Sequence, residues 1–266
     1  MYVYCIIFFF IGIICSYFFN IIGYRLSIKE SLFEKAYCDN CHHTLSFMDK
    51  IPILSYILNK GKCKYCQNKI SPIYIIFEIL TGLLFSLTYI SFMESNNPGI
   101  QIFLALVFVS TLIIIMFGDI KYMLIPNSLL IVASIIVIFL KLYLGYKNEE
   151  ILSVMDAGYE VIFMLIDAGI MFLIMLVIKK LGDMVFKKES LGGGDIKMMA
   201  FVAIMMGYEL SIIIIFIASF IALPISIINA YKKNQVMLPF GPYLAIATII
   251  LYLCNITLPM LKDFIH

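Results

Sequence analysis

Long apolar runs occupy most of this sequence and limit what it can fold into. An α-helix needs about 20 mainly apolar residues to cross a bilayer core, and the first three such runs cover residues 3–23, 72–93 and 100–118. Hydrophobic residues make up 63% of the chain and charged residues 14%, whereas a soluble domain has about 45–50% and about 25%. The sequence therefore predicts an all-α membrane protein with several spans.

The later apolar runs bring the predicted number of membrane spans to eight. Four of them follow, at residues 126–145, 156–178, 196–231 and 240–258. The run at 196–231 is too long for one span, and Gly207 with Glu209 offers a break into a short span six and a span seven. We expect a first span, a polar loop and a helical membrane domain, at residues 1–23, 24–71 and 72–266.

The distribution of Lys and Arg predicts the side on which each loop lies, because cytoplasmic loops carry an excess of these residues. With the N-terminus outside, the inner loops hold all the basic residues except Lys141, Lys147 and Lys262. An odd number of spans between Lys197 and Lys232 would destroy this asymmetry, which supports the break near Gly207. We therefore expect a cell-membrane protein with both termini outside. The net charge of +2 gives no reason to expect nucleic acid.

Two C-x-x-C pairs in the polar loop have the spacing of a metal site. Cys38 and Cys41 form one pair, and Cys63 and Cys66 form the other. Four thiolates complete a closed tetrahedral zinc site, and disulfides are disfavoured on the cytoplasmic side. We expect structural zinc at this place, with redox dithiols or free thiols as the alternative, and we expect the adjacent histidines, His42 and His43, to be surface residues.

Two aspartates lie at the same predicted membrane boundary although they are far apart in sequence. Asp119 ends span three, and Asp195 follows three glycines at the start of span six. Carboxylates at about 3 Å share one proton, so one can activate water while the other donates to a peptide carbonyl. Each Asp alone is better explained as a helix cap. At matched depth, the pair favours an aspartyl hydrolase.

At this point the residues resemble a known family, the bacterial type IV prepilin peptidases, whose catalytic motif is of the GxGD type. Residues 192–197 fit G-x-G-D-x-K, and the two Cys pairs match the family's cytoplasmic zinc loop. Further similar segments are FNIIGYRL at 19–26, DKIPILSY at 49–56, ISPIY at 70–74 with Glu78, and LPFGPY at 238–243. The sequence departs from the family at Asn127, where an Asp is usual.

The resemblance implies an activity and a set of roles. It implies cleavage of a basic leader from prepilins or pseudopilins after a glycine, at the cytoplasmic face, by Asp119 and Asp195. It also implies N-methylation of the new N-terminus with S-adenosylmethionine. The expected supporting residues at this lipid-embedded site are Gly192, Gly194, Lys197 and Glu78, the glycines letting an extended substrate backbone approach.

Other functions stay open on the sequence alone. A leader peptidase without methylation is one. A transporter that uses Asp119, Asp167 and Asp195 as an ion path is another, although transporters usually bind near mid-membrane between inverted repeats, and no repeat is visible. A membrane scaffold whose zinc loop docks a partner is the third, and a cleavage assay separates it from a peptidase.

Overall fold

Most of the residues that the structure describes lie in helices. The computed structural model describes residues 2–28, 30–31, 36–38, 40–46, 48–187, 191–231, 239–258 and 260. The helices within these residues are α1 (Tyr2–Ile28), α2 (Leu54–Leu58), α3 (Ile73–Phe92), α4 (Pro98–Tyr122), α5 (Asn127–Lys147), α6 (Val154–Phe186), α7 (Gly193–Met206), α8 (Tyr208–Tyr231) and α9 (Gly241–Leu253). Members of the charge pattern and motifs above that lie outside the described residues are Lys29, Lys35, Asp39, Lys188, Lys232, Lys233, Leu238 and Lys262.

Six of these helices are long and apolar enough to cross a membrane, namely α1, α3, α4, α5, α6 and α8. The prediction of an all-α, multi-pass membrane protein is therefore confirmed. Helix α9 is a shorter apolar helix of 13 residues, and α7 has 14. Both fall where short or terminal spans were expected, and the count of eight spans stays a prediction.

The predicted break in the run at 196–231 lies at Gly207. Helix α7 ends at Met206 and α8 begins at Tyr208, and Gly207 between them has a φ of +83°. An L-amino acid with a side chain rarely adopts this conformation, so glycine suits the position. The break divides the apolar run into a short helix and a long one, as both its length and its charge pattern indicated.

Residues 1–90 form one compact unit, built mainly from α1 and α3. The two helices approach closely, because a Cβ at Gly12 would lie 2.8 Å from the Cα of Gly82. The Ser86 hydroxyl donates a 2.7 Å hydrogen bond to the carbonyl oxygen of Cys5, and Phe8 stacks on Tyr89. Small residues at such a crossing favour helix packing in lipid.

Residues 91–266 form the second unit, and its buried centre is made by α4, α7 and α9. Phe108 of α4 packs against Phe201 of α7, with ring centroids 5.4 Å apart, and against Tyr252 of α9 at 5.0 Å. Small buried residues such as Ala245 and Ala247 let α9 pack tightly in this centre. These three helices also carry the residues of the candidate site.

Candidate active site

Asp119 lies in the last turn of α4 with its side chain turned into the protein. Only 6% of the residue is exposed. Its carbonyl oxygen accepts a hydrogen bond from the N–H of Met123, which has the left-handed conformation that commonly ends a helix. Helix α4 thus ends at Tyr122, one turn after Asp119, and presents a buried carboxylate near its C-terminal end.

Asp195 lies in the first turn of α7 and is also buried, with 7% of the residue exposed. The N-terminal end of a helix carries partial positive charge, which stabilises a carboxylate there. The Oδ1 atom of Asp195 is buried and has no hydrogen-bond partner among the described residues. A buried polar atom without a partner calls for an explanation, and a catalytic role is one.

Gly241, the first residue of α9, joins the two carboxylates. Its N–H donates a 3.1 Å hydrogen bond to Oδ2 of Asp119. A Cβ at Gly241 would lie 2.6 Å from Oδ2 of Asp119 and 3.4 Å from Oδ1 of Asp195. One oxygen of each carboxylate therefore lies within 3.4 Å of the position that a Cβ of Gly241 would occupy. The structure brings together the two aspartates that the sequence singled out, at the N-terminal ends of α7 and α9.

The three glycines before Asp195 differ in what surrounds them. A Cβ at Gly194 would lie 2.9 Å from Cβ of Ile125, so this glycine lets α7 approach the segment between α4 and α5. A Cβ at Gly192 would lie 3.3 Å from Oδ2 of Asp195. Gly193 has no such neighbour within 4 Å. Gly192 and Gly194, the two glycines fixed in the G-x-G-D-x-K motif, therefore have close neighbours. Gly193, at the variable position of the motif, has open space around it.

Lys197 is exposed and points to α5 rather than into the protein. Its Nζ donates a 2.9 Å hydrogen bond to Oδ1 of Asn127, the first residue of α5. The amide oxygen accepts the lysine proton as a carboxylate would, although without its charge.

Glu78 lies in the first unit, on α3, and it is buried, with 9% exposed. Its Oε2 accepts a 2.7 Å hydrogen bond from the N–H of Ile53. Ile53 precedes α2 and has a φ of +60°, an uncommon conformation for a β-branched residue. Glu78 therefore stabilises the turn within the DKIPILSY segment, just before α2.

The four loop cysteines form a cluster that can bind a metal. Their sulfur atoms all lie within 4.8 Å of one another, and Sγ of Cys38 is 3.9 Å from Sγ of Cys66. A tetrahedral zinc with Zn–S bonds of about 2.3 Å separates its sulfurs by about 3.8 Å. Cys38, Cys41, Cys63 and Cys66 therefore fit a closed zinc site.

Each Cys pair lies on a tight turn of similar build. His42 donates its N–H to the carbonyl oxygen of Cys38, and Gln67 does the same to Cys63, at 2.9 and 3.0 Å. Both donors have a positive φ, of 52° and 59°. Antiparallel bridges frame the turns, between Tyr37 and Thr44 and between Lys62 and Lys69.

Side chains outside the cysteines connect the two turns. His43 is exposed and stacks on Tyr65 with ring centroids 3.7 Å apart, so it belongs to the surface as expected. Oδ2 of Asp49 accepts hydrogen bonds from the Ser46 hydroxyl at 2.7 Å and from the Tyr65 hydroxyl at 3.2 Å. These bonds, with the Ser46 hydroxyl the strongest influence, hold the pKa of Asp49 below its usual range.

Replacing Cys38 or Cys63 by Ser is expected to remove the metal. A hydroxyl is a poor zinc ligand, so the purified variant should fall from about one zinc per chain to less than about 0.2. The 24–71 loop should also become sensitive to protease. Elemental analysis and limited proteolysis measure both effects. Cys254→Ser is the matched control, because Cys254 is exposed and far from the cluster in sequence, and full metal content in Cys38→Ser would contradict the site.

One residue of the site was not assigned a role from the sequence. Gly241 contacts both aspartates, but it is 122 residues from Asp119 and 46 from Asp195. The only sequence signal was the LPFGPY segment that opens the last apolar run. That segment resembles the family pattern without indicating which of its groups meets the carboxylates.

Comparison with known proteins places these features in a family. A family model described as the bacterial peptidase A24 N-terminal domain matches residues 10–92, and one described as the type IV leader peptidase family matches residues 106–227. No solved structure matches the chain.

Curated relatives cover nearly the whole chain. The prepilin leader peptidase/N-methyltransferase of Bacillus subtilis (strain 168) is 32% identical over 251 residues, which are 93% of both chains. The protein of the same name in Vibrio cholerae serotype O1 is 27% identical over 94% of this chain and 97% of the relative. That of Aeromonas salmonicida is 28% identical over 84% and 71%. This chain belongs to the type IV leader peptidase family.

Proposed function

We propose that this protein is a membrane aspartyl endopeptidase that removes the basic leader from type IV prepilins or pseudopilins. The observation that supports it most is the convergence of the buried Asp119 and Asp195 carboxylates on Gly241. Cleavage after a glycine is the substrate preference that the family resemblance implies. The names of the relatives, which are prepilin leader peptidases, agree with this substrate class.

The two carboxylates have different surroundings, and we assign them different roles. The Gly241 N–H bonds to Oδ2 of Asp119 and stabilises its negative charge, so Asp119 is the base. Oδ1 of Asp195 is buried and lacks a hydrogen-bond partner among the described residues, so this is the oxygen on which we place the shared proton. Two carboxylates that share one site disfavour each other's charge, so we expect one of them to hold a proton.

The reaction then proceeds by activation of water. Asp119 takes a proton from a water molecule, whose oxygen attacks the carbonyl carbon of the leader glycine, while Asp195 gives its proton to the carbonyl oxygen. When the tetrahedral diol collapses, the C–N bond breaks and the amine takes the proton that Asp119 holds. A diol hydroxyl returns a proton to Asp195, so both groups regain their starting states.

The cell membrane and its cytoplasmic face are the proposed location of this reaction. The charge pattern supports it, because the loops that would lie inside hold nearly all the Lys and Arg residues. Both termini would then lie outside. A leader carrying basic residues stays on the cytoplasmic side for the same reason.

Methylation of the new N-terminus is the second proposed activity, supported by the names of the relatives. S-adenosylmethionine would supply the methyl group. We place the 24–71 loop in this activity, with zinc held by the four cysteines as its structural support. Glu78 would act through the turn at Ile53 that it stabilises. Lys197 would instead support the aspartate site, through its bond to Asn127. The 1–23, 24–71 and 72–266 division remains our proposal for the parts of the chain.

Incubation of the purified protein with a prepilin tests both activities. We expect mass spectrometry to find the leader and the shortened pilin, with the cut after the glycine, and an added mass of about 14 Da on the pilin only when S-adenosylmethionine is present. A prepilin whose leader glycine is replaced by a bulky residue is the control. An uncut wild-type prepilin would contradict the peptidase, whereas cleavage without the added mass would leave a peptidase alone.

A further inference from the structure

The C-terminal end of α7 meets a lysine from a neighbouring helix. Nζ of Lys141, on α5, donates hydrogen bonds to the carbonyl oxygens of Ile204 and Met205, at 3.0 and 3.3 Å. The last carbonyls of a helix have no partner within the helix. A cation at this end is favoured because the helix carries partial negative charge there. Lys141, a residue of a different helix, therefore caps the C-terminal end of α7.

The contact between Lys141 and the end of α7 is expected to lie at a membrane depth where a charged side chain is unfavourable. Helix α7 has 14 residues, which corresponds to about 21 Å, less than the about 30 Å of bilayer hydrocarbon. Its first turn carries Asp195, so its other end lies within the membrane if Asp195 is at a boundary. Unsatisfied carbonyls are unfavourable there, and an ionisable residue in such a place suggests a function.

Acidic residues accompany the lysine. The negative charges of Glu160 and Asp167, both on α6, attract the positive charge of Lys141. The negative charge of Glu209, on α8, repels that of Asp167. A Cβ at Gly207 would lie 3.7 Å from Oδ2 of Asp167. The carboxylate of Asp167 is therefore close to the break at which α7 ends, and it balances part of the charge of Lys141.

We propose that Lys141 is a positioning residue that fixes the end of α7 and, through this short rigid helix, the position of Asp195 against Asp119. Asp167 supports it as the counter-charge. The inference rests on the proposed function, because it assigns Asp195 to the reaction. A lysine that only stabilised the fold would affect the amount of folded protein, whereas a positioning lysine affects turnover by the folded protein.

The test compares Lys141→Met with Lys141→Arg. Displacement of a reacting group by about 1 Å can lower the rate about 10²-fold, so we expect Lys141→Met to lower kcat about 10- to 100-fold and to change KM less than about threefold. Arg keeps a cation that donates to carbonyls and should restore kcat to within about threefold. Lys147→Met is the matched control, since Lys147 is an exposed lysine of the same helix.

Hydrogen exchange gives a readout that does not depend on activity. In folded Lys141→Met, peptides covering residues 203–207 should exchange at least about fivefold faster, while those from α9 should keep their wild-type rates. Lys141→Gln, which keeps a donor without charge, should show a smaller change in the same direction. Wild-type exchange and kcat in Met and Gln variants would overturn the proposal, and so would loss of activity that only follows loss of folded protein.

Asp195→Asn, assayed alongside, separates this inference from the proposed function. If Asp195→Asn still cleaves the prepilin at the wild-type rate, the catalytic assignment fails, and the positioning role of Lys141 fails with it. If Asp195→Asn is inactive and Lys141→Met is normal in both exchange and turnover, only the positioning role fails.

Discussion

Asp119→Asn and Asp195→Asn are each expected to lower prepilin cleavage by about 10³-fold or more while the protein still folds and inserts. General acid–base groups contribute about 10² to 10⁴ in rate, and an amide can neither take the proton of water as Asp119 would nor supply one as Asp195 would. Both side chains are buried at the same point. Initial rates with a purified prepilin in detergent or vesicles measure the effect.

The double variant and a distant aspartate provide the controls. Groups that act as one unit give losses that do not add, so Asp119→Asn with Asp195→Asn should be about as inactive as either single change. Asp156→Asn should cleave normally, because Asp156 forms the capping box of α6 and an amide oxygen can still accept its bonds. A single variant that keeps more than about a tenth of the wild-type rate would contradict the dyad.

The pairing of the two aspartates could be predicted because it depends on where the apolar runs end. Hydropathy indicates the depth of each residue, and the Lys and Arg pattern indicates the side, so matched positions follow without any knowledge of packing. The break at Gly207 depends on the same two signals. Helix ends are less well predicted: the first apolar run covers 3–23, but α1 covers Tyr2–Ile28, because a helix can continue beyond its apolar part.

Contacts between distant helices could not be predicted in this way. The N–H of Gly241 reaches Asp119 across 122 residues, and Lys141 reaches Ile204 across 63. Each contact requires a particular choice of neighbours and rotations among the helices, which apolar periodicity does not encode when helices are apolar on most faces. The bond between Glu78 and Ile53 is of the same kind. Sequence patterns indicate the reacting groups, and the packing supplies the groups that hold them.

A substitution at Gly241 tests whether a residue that only helix packing brings to the site matters for the reaction. Helix α9 brings its first residue against both carboxylates, and the absence of a side chain at that residue is what leaves room for them. Alanine has the same backbone N–H as glycine, so the donor to Asp119 is kept when the side chain changes. A substitution therefore tests the space at the site, not the donor.

Gly241→Ala is expected to lower cleavage about 10²-fold, because its Cβ would lie 2.6 Å from Oδ2 and 3.2 Å from Cγ of Asp119. The carboxylate must move, and misplacement by about 1 Å has an effect of this size. Gly99→Ala is the matched control, since Gly99 also lies in the first turn of a helix next to a proline but has no such neighbour within 4 Å.

Thermal unfolding separates a displaced carboxylate from a damaged fold. Ala is favoured over Gly in a helix by about 1 kcal/mol, so Gly99→Ala should be at least as stable as the wild type and fully active. Gly241→Ala should unfold within a few degrees of the wild type, because only the end of one side chain has to shift. If Gly241→Ala cleaves as fast as Gly99→Ala, the reaction does not need the space that Gly241 leaves beside Asp119, and the exact placement of this carboxylate against α9 is not what sets the rate.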